Sequence, residues 1–223
     1  MQDHSKTAIL LFAESAYKQA QKKVLVKDAV RNFELFTTLS RRNLKTVNDA
    51  GLDVYHFDEA NQQGASFGKR ISKAVQDVFS KGYLHVIVVG GDCPDLNSKD
   101  VQQVNQLLKA QDLVLGPDLR GGVYIIGLHR DSFNAELFET LSWQQASLRS
   151  SFSYYASDQR FSVHWLQPKA DLNSSHDIKQ YWRLSKVLRS IVERMTTFVA
   201  SVLGGNEAIP LRLSIVEIDR RGP

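Results

Sequence analysis

Apolar residues along this chain fall into two recurring arrangements. Residues 7–12 form a short unbroken apolar run, the pattern of a strand buried on both faces. Residues 85–89 form the strongest strand pattern, and 52–57, 113–115, 123–128 and 161–166 give further strands. Between them, apolar residues take helical spacing. In the polar segment 14–50, Val30, Phe33, Leu35, Leu39, Leu44 and Val47 form a stripe that is clearest from residue 28 and stops at Gly51. Ser66 is placed to cap a helix whose buried face is Phe67, Ile71, Ala74, Val75, Val78 and Phe79, ended by Gly82. Asn97 and Asp100 form a capping box ahead of Val101, Val104, Leu107 and Leu108. Residues 144–156 predict another helix, 175–200 a long helical stretch, and 211–218 a late strand behind Gly204 and Gly205.

Strands alternating with helices predict an α/β domain, a three-layer αβα sandwich around a mixed, mostly parallel sheet. Ligands of such sheets sit at the carboxyl ends of strands. That rule points to the chain just after Phe12, Val89 and Leu166.

The segment after Val89 carries the densest chemistry: Gly90-Gly91-Asp92-Cys93-Pro94-Asp95-Leu96. A carboxylate directly after a buried strand is held rigidly, and glycines before it admit a ligand close to the backbone. Asp92 therefore suits a hard divalent cation bound to phosphates. Ordering of a turn and capping of the next helix account for Asp92 and Asp95 equally well at this point.

Composition narrows the field. The chain has 223 residues and a formal net charge of +4, with no basic stripe interleaved with aromatics, so nucleic acid is not an expected partner. Cys93 is the single cysteine, which excludes an internal disulfide and a cysteine zinc cluster and favours a reducing compartment. No signal peptide and no apolar run of about 20 residues are present, so a cytoplasmic protein without a membrane span is expected. The six histidines lack metal-ligand spacing with one another. Cys93 has no recognisable base and reads as a buried small residue, and Trp143 and Trp165 read as packing residues. Dinucleotide, Walker and nucleophile-elbow motifs are absent.

Taken in order, several segments resemble one family. Residues 90–96 are similar to its Gly-Thr-Asp-Cys-Pro-Asp-Leu, with Gly91 in place of Thr. Phe67-Gly-Lys-Arg-Ile71 resembles Leu-Gly-Glu-Arg-Met, and Val114-Leu-Gly-Pro117 matches Val-Leu-Gly-Pro. Residues 121–128 resemble Gly-Gly-Tyr-Tyr-Leu-Ile-Gly-Leu, residues 138–143 resemble Phe-x-x-Ile-Pro-Trp, and residues 171–178 resemble Asp-Val-Asp-Thr-Pro-x-Asp-Leu. The family is a glycosyltransferase-like one with the nucleotide-diphospho-sugar transferase (GT-A) fold, related to the phospholactate and molybdenum-cofactor guanylyltransferases. The resemblance runs from residue 7 to about 182.

The resemblance implies a nucleotide or nucleotide-sugar lying across the first strand ends, with a magnesium or manganese ion bridging its phosphates to Asp92 and Asn173, Asp171 standing in reserve. Asp92 and Asp95 are the implied catalytic carboxylates. The implied nucleotide contacts are Ala13, Glu14, Lys18, Arg70, Gly91, Arg120, Gly121 and Gly122. Two departures stand out. The family's first strand leads into a basic Pro-Gly loop with Lys-Thr-Arg, whereas here the stretch from Ala13 to Lys23 has neither glycine nor proline. Lys18, Lys22 and Lys23 are the cations available there, and Glu14 opposes phosphate. Arg120 stands where the family has Asp, and either contacts phosphate or marks a lost site.

The leading expectation is a metal-dependent transferase using a nucleotide or nucleotide-sugar and an unidentified acceptor. A non-catalytic member of the fold that binds a ligand or protein is the alternative, and nucleotidyl transfer to a phosphorylated acceptor is the third. The expected organisation is a domain over residues 1–190 with a C-terminal appendage at 191–223, packed on the same domain or pairing two copies through Val199, Val202 and Leu203.

Overall fold

The computed structural model describes residues 7–184. The appendage, the expected helix beyond residue 184 and the expected strand at 211–218 lie outside the described residues. In chain order the elements are β1 (Thr7–Phe12), α1 (Ala16–Lys22), α2 (Ala29–Asn48), β2 (Asp53–Phe57), α3 (Phe67–Phe79), β3 (His85–Val89), α4 (Ser98–Leu107), β4 (Leu113–Pro117), β5 (Val123–His129), α5 (Ala135–Glu139), α6 (Leu148–Gln159), β6 (Val163–Trp165) and α7 (Ser175–Leu184), with a 3-10 turn at Arg130–Ser132.

The strands form one sheet in the order β2-β1-β3-β5-β4-β6. β1 pairs in parallel with β2 and β3, and β4 with β6, whereas β5 runs antiparallel to both its neighbours, β3 and β4. The sheet is thus mixed and mostly parallel, as the alternating pattern predicts.

Strand alternation divides the core in two. Ala8, Leu10, Phe12, Val86 and Val88 face the apolar sides of α3, α5 and α6. Ile9, Leu11, Ile87 and Val89 face α2 and α4. Burying each of these side chains larger than alanine contributes about 1.5–3 kcal/mol. Both predicted caps form: Ser66 Oγ accepts from Lys69 N, and Asn97 with Asp100 closes a capping box.

Three segments depart from the sequence pattern. The polar stretch before Gly51 is two helices, because residues 24–28 turn away after Lys23 caps α1. The helix predicted from residue 144 begins at Leu148, since Gln144 takes a positive φ of 62° and the chain through Ala146 lines a cavity instead. The strand expected over 161–166 shortens to three residues on β4.

Candidate functional site

The ends of β1 and β3 are neighbours, Leu11 pairing with Val89. A cavity of about 560 Å³ opens beyond them. That is within the range of small-molecule sites, roughly 300–1,000 Å³. Phe12, Ala13 and Glu14 line it from β1, and Val88 to Cys93 line it from β3. Phe67, Arg70, Trp143 and the 118–126 segment close other sides.

Asp92 is fixed from several directions. Gly90 N donates to Tyr124 O at 3.2 Å, and Asn43 Nδ2 donates to Gly91 O at 2.7 Å. Leu172, itself fully buried, donates its backbone N–H to Asp92 O at 2.9 Å. That one bond brings the 171–173 loop against the end of β3. The carbonyl and carboxyl oxygens that the resemblance pairs are therefore adjacent in space although distant in sequence.

A third group joins them. Lys23 Nζ donates to Asp92 Oδ2 at 2.5 Å and to Asn173 Oδ1 at 2.8 Å. Asn173 in turn donates from Nδ2 to Asp171 Oδ2 at 2.7 Å. Asp92 Oδ1 is buried without a partner among the described residues. Burial first, and the charge of Asp92 second, push the Asp171 carboxyl up to about 7.

The implied metal ligands do not fit a divalent ion as they stand. Asp92 Oδ2 and Asn173 Oδ1 already accept from an ammonium, and a dication on the same oxygens would meet that positive charge directly. Among the described residues, no three His, Cys, Asp or Glu side chains are grouped to hold a metal ion.

Lys23 reaches Asp92 because the first-strand segment is a helix rather than a glycine loop. Ser15 Oγ caps α1 by accepting from Lys18 N, and Lys23 closes it through its N–H to Gln19 O. Buried Asn32 then holds the following turn. Its Nδ2 donates to Ala20 O and Lys23 O, and its Oδ1 accepts from Leu25 N and Val26 N. The helix also settles the charge of Glu14, whose carboxylate pairs with Lys22. The sequence singles out Lys23 only as one of three loop cations; its contacts with Asp92 and Asn173 depend on helix α1 forming.

The other expected contacts divide. Ala13, Glu14, Arg70, Gly91, Asp92, Arg120, Gly122, Asp171 and Asn173 line the cavity, whereas Lys18, Gly121 and Asp95 do not. Asp95, outside the cavity lining, is held by other contacts: its Oδ1 accepts from Tyr181 Oη at 2.5 Å and its carbonyl from Lys169 Nζ at 3.0 Å. Arg120 lines the cavity and also forms an ion pair. Its guanidinium pairs with Asp177 at 2.8 Å, and Asp177 also accepts from Asn173 N and Ser174 Oγ. Burial works against the Asp177 charge, but those hydrogen bonds and Arg120 hold its carboxyl below the usual carboxylate range. Arg120 thus steadies the Asn173 loop. Arg70 lines the cavity with its guanidinium 5.9 Å from the Phe67 ring and has no carboxylate partner among the described residues.

The glycines serve the chain itself more than a ligand. A Cβ on Gly91 would fall 2.9 Å from Gln19 Nε2 and 3.0 Å from Ala13 Cβ, so the Thr of the resembling family would require Gln19 and Ala13 to shift. A Cβ on Gly122 would fall 2.4 Å from Asp118 Oδ2, the carboxylate whose Oδ1 accepts from Arg120 N and Gly122 N. Asp118 and Trp143 line the cavity without having been singled out for it in sequence; a buried loop carboxylate and a packing tryptophan carry no distinctive spacing. Cys93 is buried and its thiol is pushed by burial to about 12, which removes it as a nucleophile.

Residues 16–145 match the family model described as an uncharacterized protein conserved in bacteria (DUF2064). The chain belongs to that family. No curated protein matches it. Among solved structures, this DUF2064 chain is similar to one from Desulfovibrio desulfuricans G20 named as a "putative nucleotide-diphospho-sugar transferase", at 24% identity and a TM-score of 0.73, covering 82% of this chain and 88% of that one. That likeness shows the nucleotide-diphospho-sugar transferase fold. Looser likenesses, which carry no further argument, are to the Rv0371c homolog of Mycobacterium sp. strain JC1 (14% identity, TM-score 0.48, 83% of this chain and 98% of that one) and to Rv0371c of Mycobacterium tuberculosis H37Rv in complex with manganese (13%, 0.42, 78% and 96%).

Proposed function

We propose that this DUF2064 chain is a transferase acting on a nucleotide or nucleotide-sugar, whose phosphates lie against the cationic corner at the end of β3. The observation that supports it is the convergence of Asp92, Asn173 and Lys23 on one side of a cavity large enough for such a ligand. In sugar transfer the acceptor's nucleophilic atom bonds the sugar carbon and gives up its proton to solvent, the bond from that carbon to the diphosphate oxygen breaks, and the leaving diphosphate gains negative charge. Lys23 and Arg70 supply positive charge on the cavity wall to offset it. Asp92 and Asn173 hold the Lys23 ammonium in place, and Arg120 acts through Asp177 on the Asn173 loop. The metal-dependent form of this reading requires magnesium or manganese to displace the ammonium from the same two oxygens.

A second reading has its own support. The phosphate-binding loop is replaced by a capped helix, and Lys22 and Arg120 are committed to Glu14 and Asp177. That favours a member of the fold that binds a nucleotide without turning it over.

Thermal melting against a panel of nucleoside diphosphates, triphosphates and nucleotide sugars tests the common element of both. A ligand at 100 times its Kd adds about 2.7 kcal/mol of stability. The expected result is a raised Tm with at least one of the panel, lost in Asp92→Ala. An unchanged Tm across the panel overturns the proposal. Product formation with that ligand separates transferase from binder, and pyrophosphate release identifies nucleotidyl transfer.

A further inference from the structure

We infer that Lys23 is the resident cation of this site, a side-chain ammonium occupying the position that a divalent metal ion would otherwise take between Asp92 and Asn173. The inference extends the proposed function, but the placement of the ammonium stands apart from it.

Three observations carry it. Lys23 Nζ bonds one oxygen from each of the two loops, Asp92 Oδ2 at 2.5 Å and Asn173 Oδ1 at 2.8 Å. An ammonium has three N–H donors. Two are used here, and the third has no partner among the described residues, on a side chain that lines the cavity. The placement is also built from behind: Asn32 spends its whole amide on the turn from Ala20 to Val26, with Lys23 O among its acceptors. Lys22, the neighbouring cation, is taken by Glu14 and so does not compete for Asp92.

The chemistry follows from charge and geometry. A monovalent ammonium offers a phosphate one positive charge and one remaining hydrogen bond, without the several oxygen ligands a metal ion demands. Asp92 and Asn173 act on the ammonium as positioning residues.

Manganese alone is the probe. Free manganese is measured by electron paramagnetic resonance over wild type, Lys23→Met and Lys23→Arg, with circular dichroism to confirm folding. Lys23→Met is expected to bind one manganese ion about tenfold or more tighter than wild type, equivalent to at least about 1.4 kcal/mol. Adding Asp92→Asn to that variant abolishes the gain. Lys23→Arg keeps the charge and excludes manganese as wild type does; it serves as the test if the methionine variant fails to fold, because manganese binding to the arginine variant contradicts the inference. Wild type binding manganese as tightly as Lys23→Met overturns it, and so does the absence of binding by a folded Lys23→Met. Nucleotide-induced melting shifts are recorded on the same samples in chelator. Their absence with the manganese contrast intact refutes the proposed function and leaves the cation assignment standing.

Discussion

The ends of β1 and β3 lie side by side in the sheet, yet they reach the cavity by opposite means. After β3, the chain keeps the Gly-x-Asp-Cys-Pro-Asp-Leu pattern, and Asp92 is presented directly by a rigid strand end. After β1, the glycine and proline of a phosphate-binding loop are missing, and the segment folds into α1 with a serine cap. The first end supplies a carboxylate by local sequence. The second supplies an ammonium by tertiary placement, through a helix, a buried asparagine and a turn. What differs is how the charge at the site is balanced: the chain carries its own counter-ion to Asp92.

This contrast can be broken at either end. The largest loss is expected at the turn behind Lys23. Asn32→Ala removes four hydrogen bonds and leaves buried Leu25 N without its acceptor. Each buried group left unpaired costs about 1–3 kcal/mol, so a loss of about 3 kcal/mol is expected in urea unfolding. On the β3 side, Asn97→Ala removes only a helix cap, with an expected loss of about 1 kcal/mol. Equal losses in the two variants would erase the distinction between a locally encoded end and one held by tertiary contacts.

An effect of opposite sign, a gain in stability, is expected from pH. Asp171 has its carboxyl raised to about 7 by burial and by Asp92. A carboxyl raised on folding contributes stability that is fully present below its unfolded value, near 4, and is lost as the pH rises through 7. Asp171→Asn removes that slope. Relative to wild type, the variant gains stability between about pH 4 and pH 7, by about 1.4 kcal/mol for each pH unit by which the folded pKa stands above the unfolded one. Urea midpoints of both proteins across that window check it, and parallel curves would show that Asp171 ionises normally.

The sequence pattern reaches some of these features and not others, for physical reasons. Strands, the Ser66 and Asn97 caps and the Asp92 turn are legible because they depend on neighbours a few residues apart. The convergence of Asp92 and Asn173 was reachable only through the family resemblance, since no spacing rule joins them. The contacts of Lys23 join positions 69 and 150 residues apart in the chain and depend on the placement that helix α1 gives it. Nothing in the Lys22-Lys23 pair tells which lysine turns inward: Lys22 meets Glu14 and Lys23 meets Asp92 because they lie on different sides of the end of one helix. Asp95 has a long-range partner that no local pattern announces. A carboxylate within a catalytic-looking motif is drawn to Tyr181, a residue far along the chain.

A crystal structure of the wild-type protein grown with manganese chloride tests the central claim most directly, through the anomalous signal of the metal. The account predicts the Lys23 nitrogen between Asp92 and Asn173 and no manganese peak at that point. A manganese peak bonded to both side chains, with Lys23 turned away from them, would contradict it.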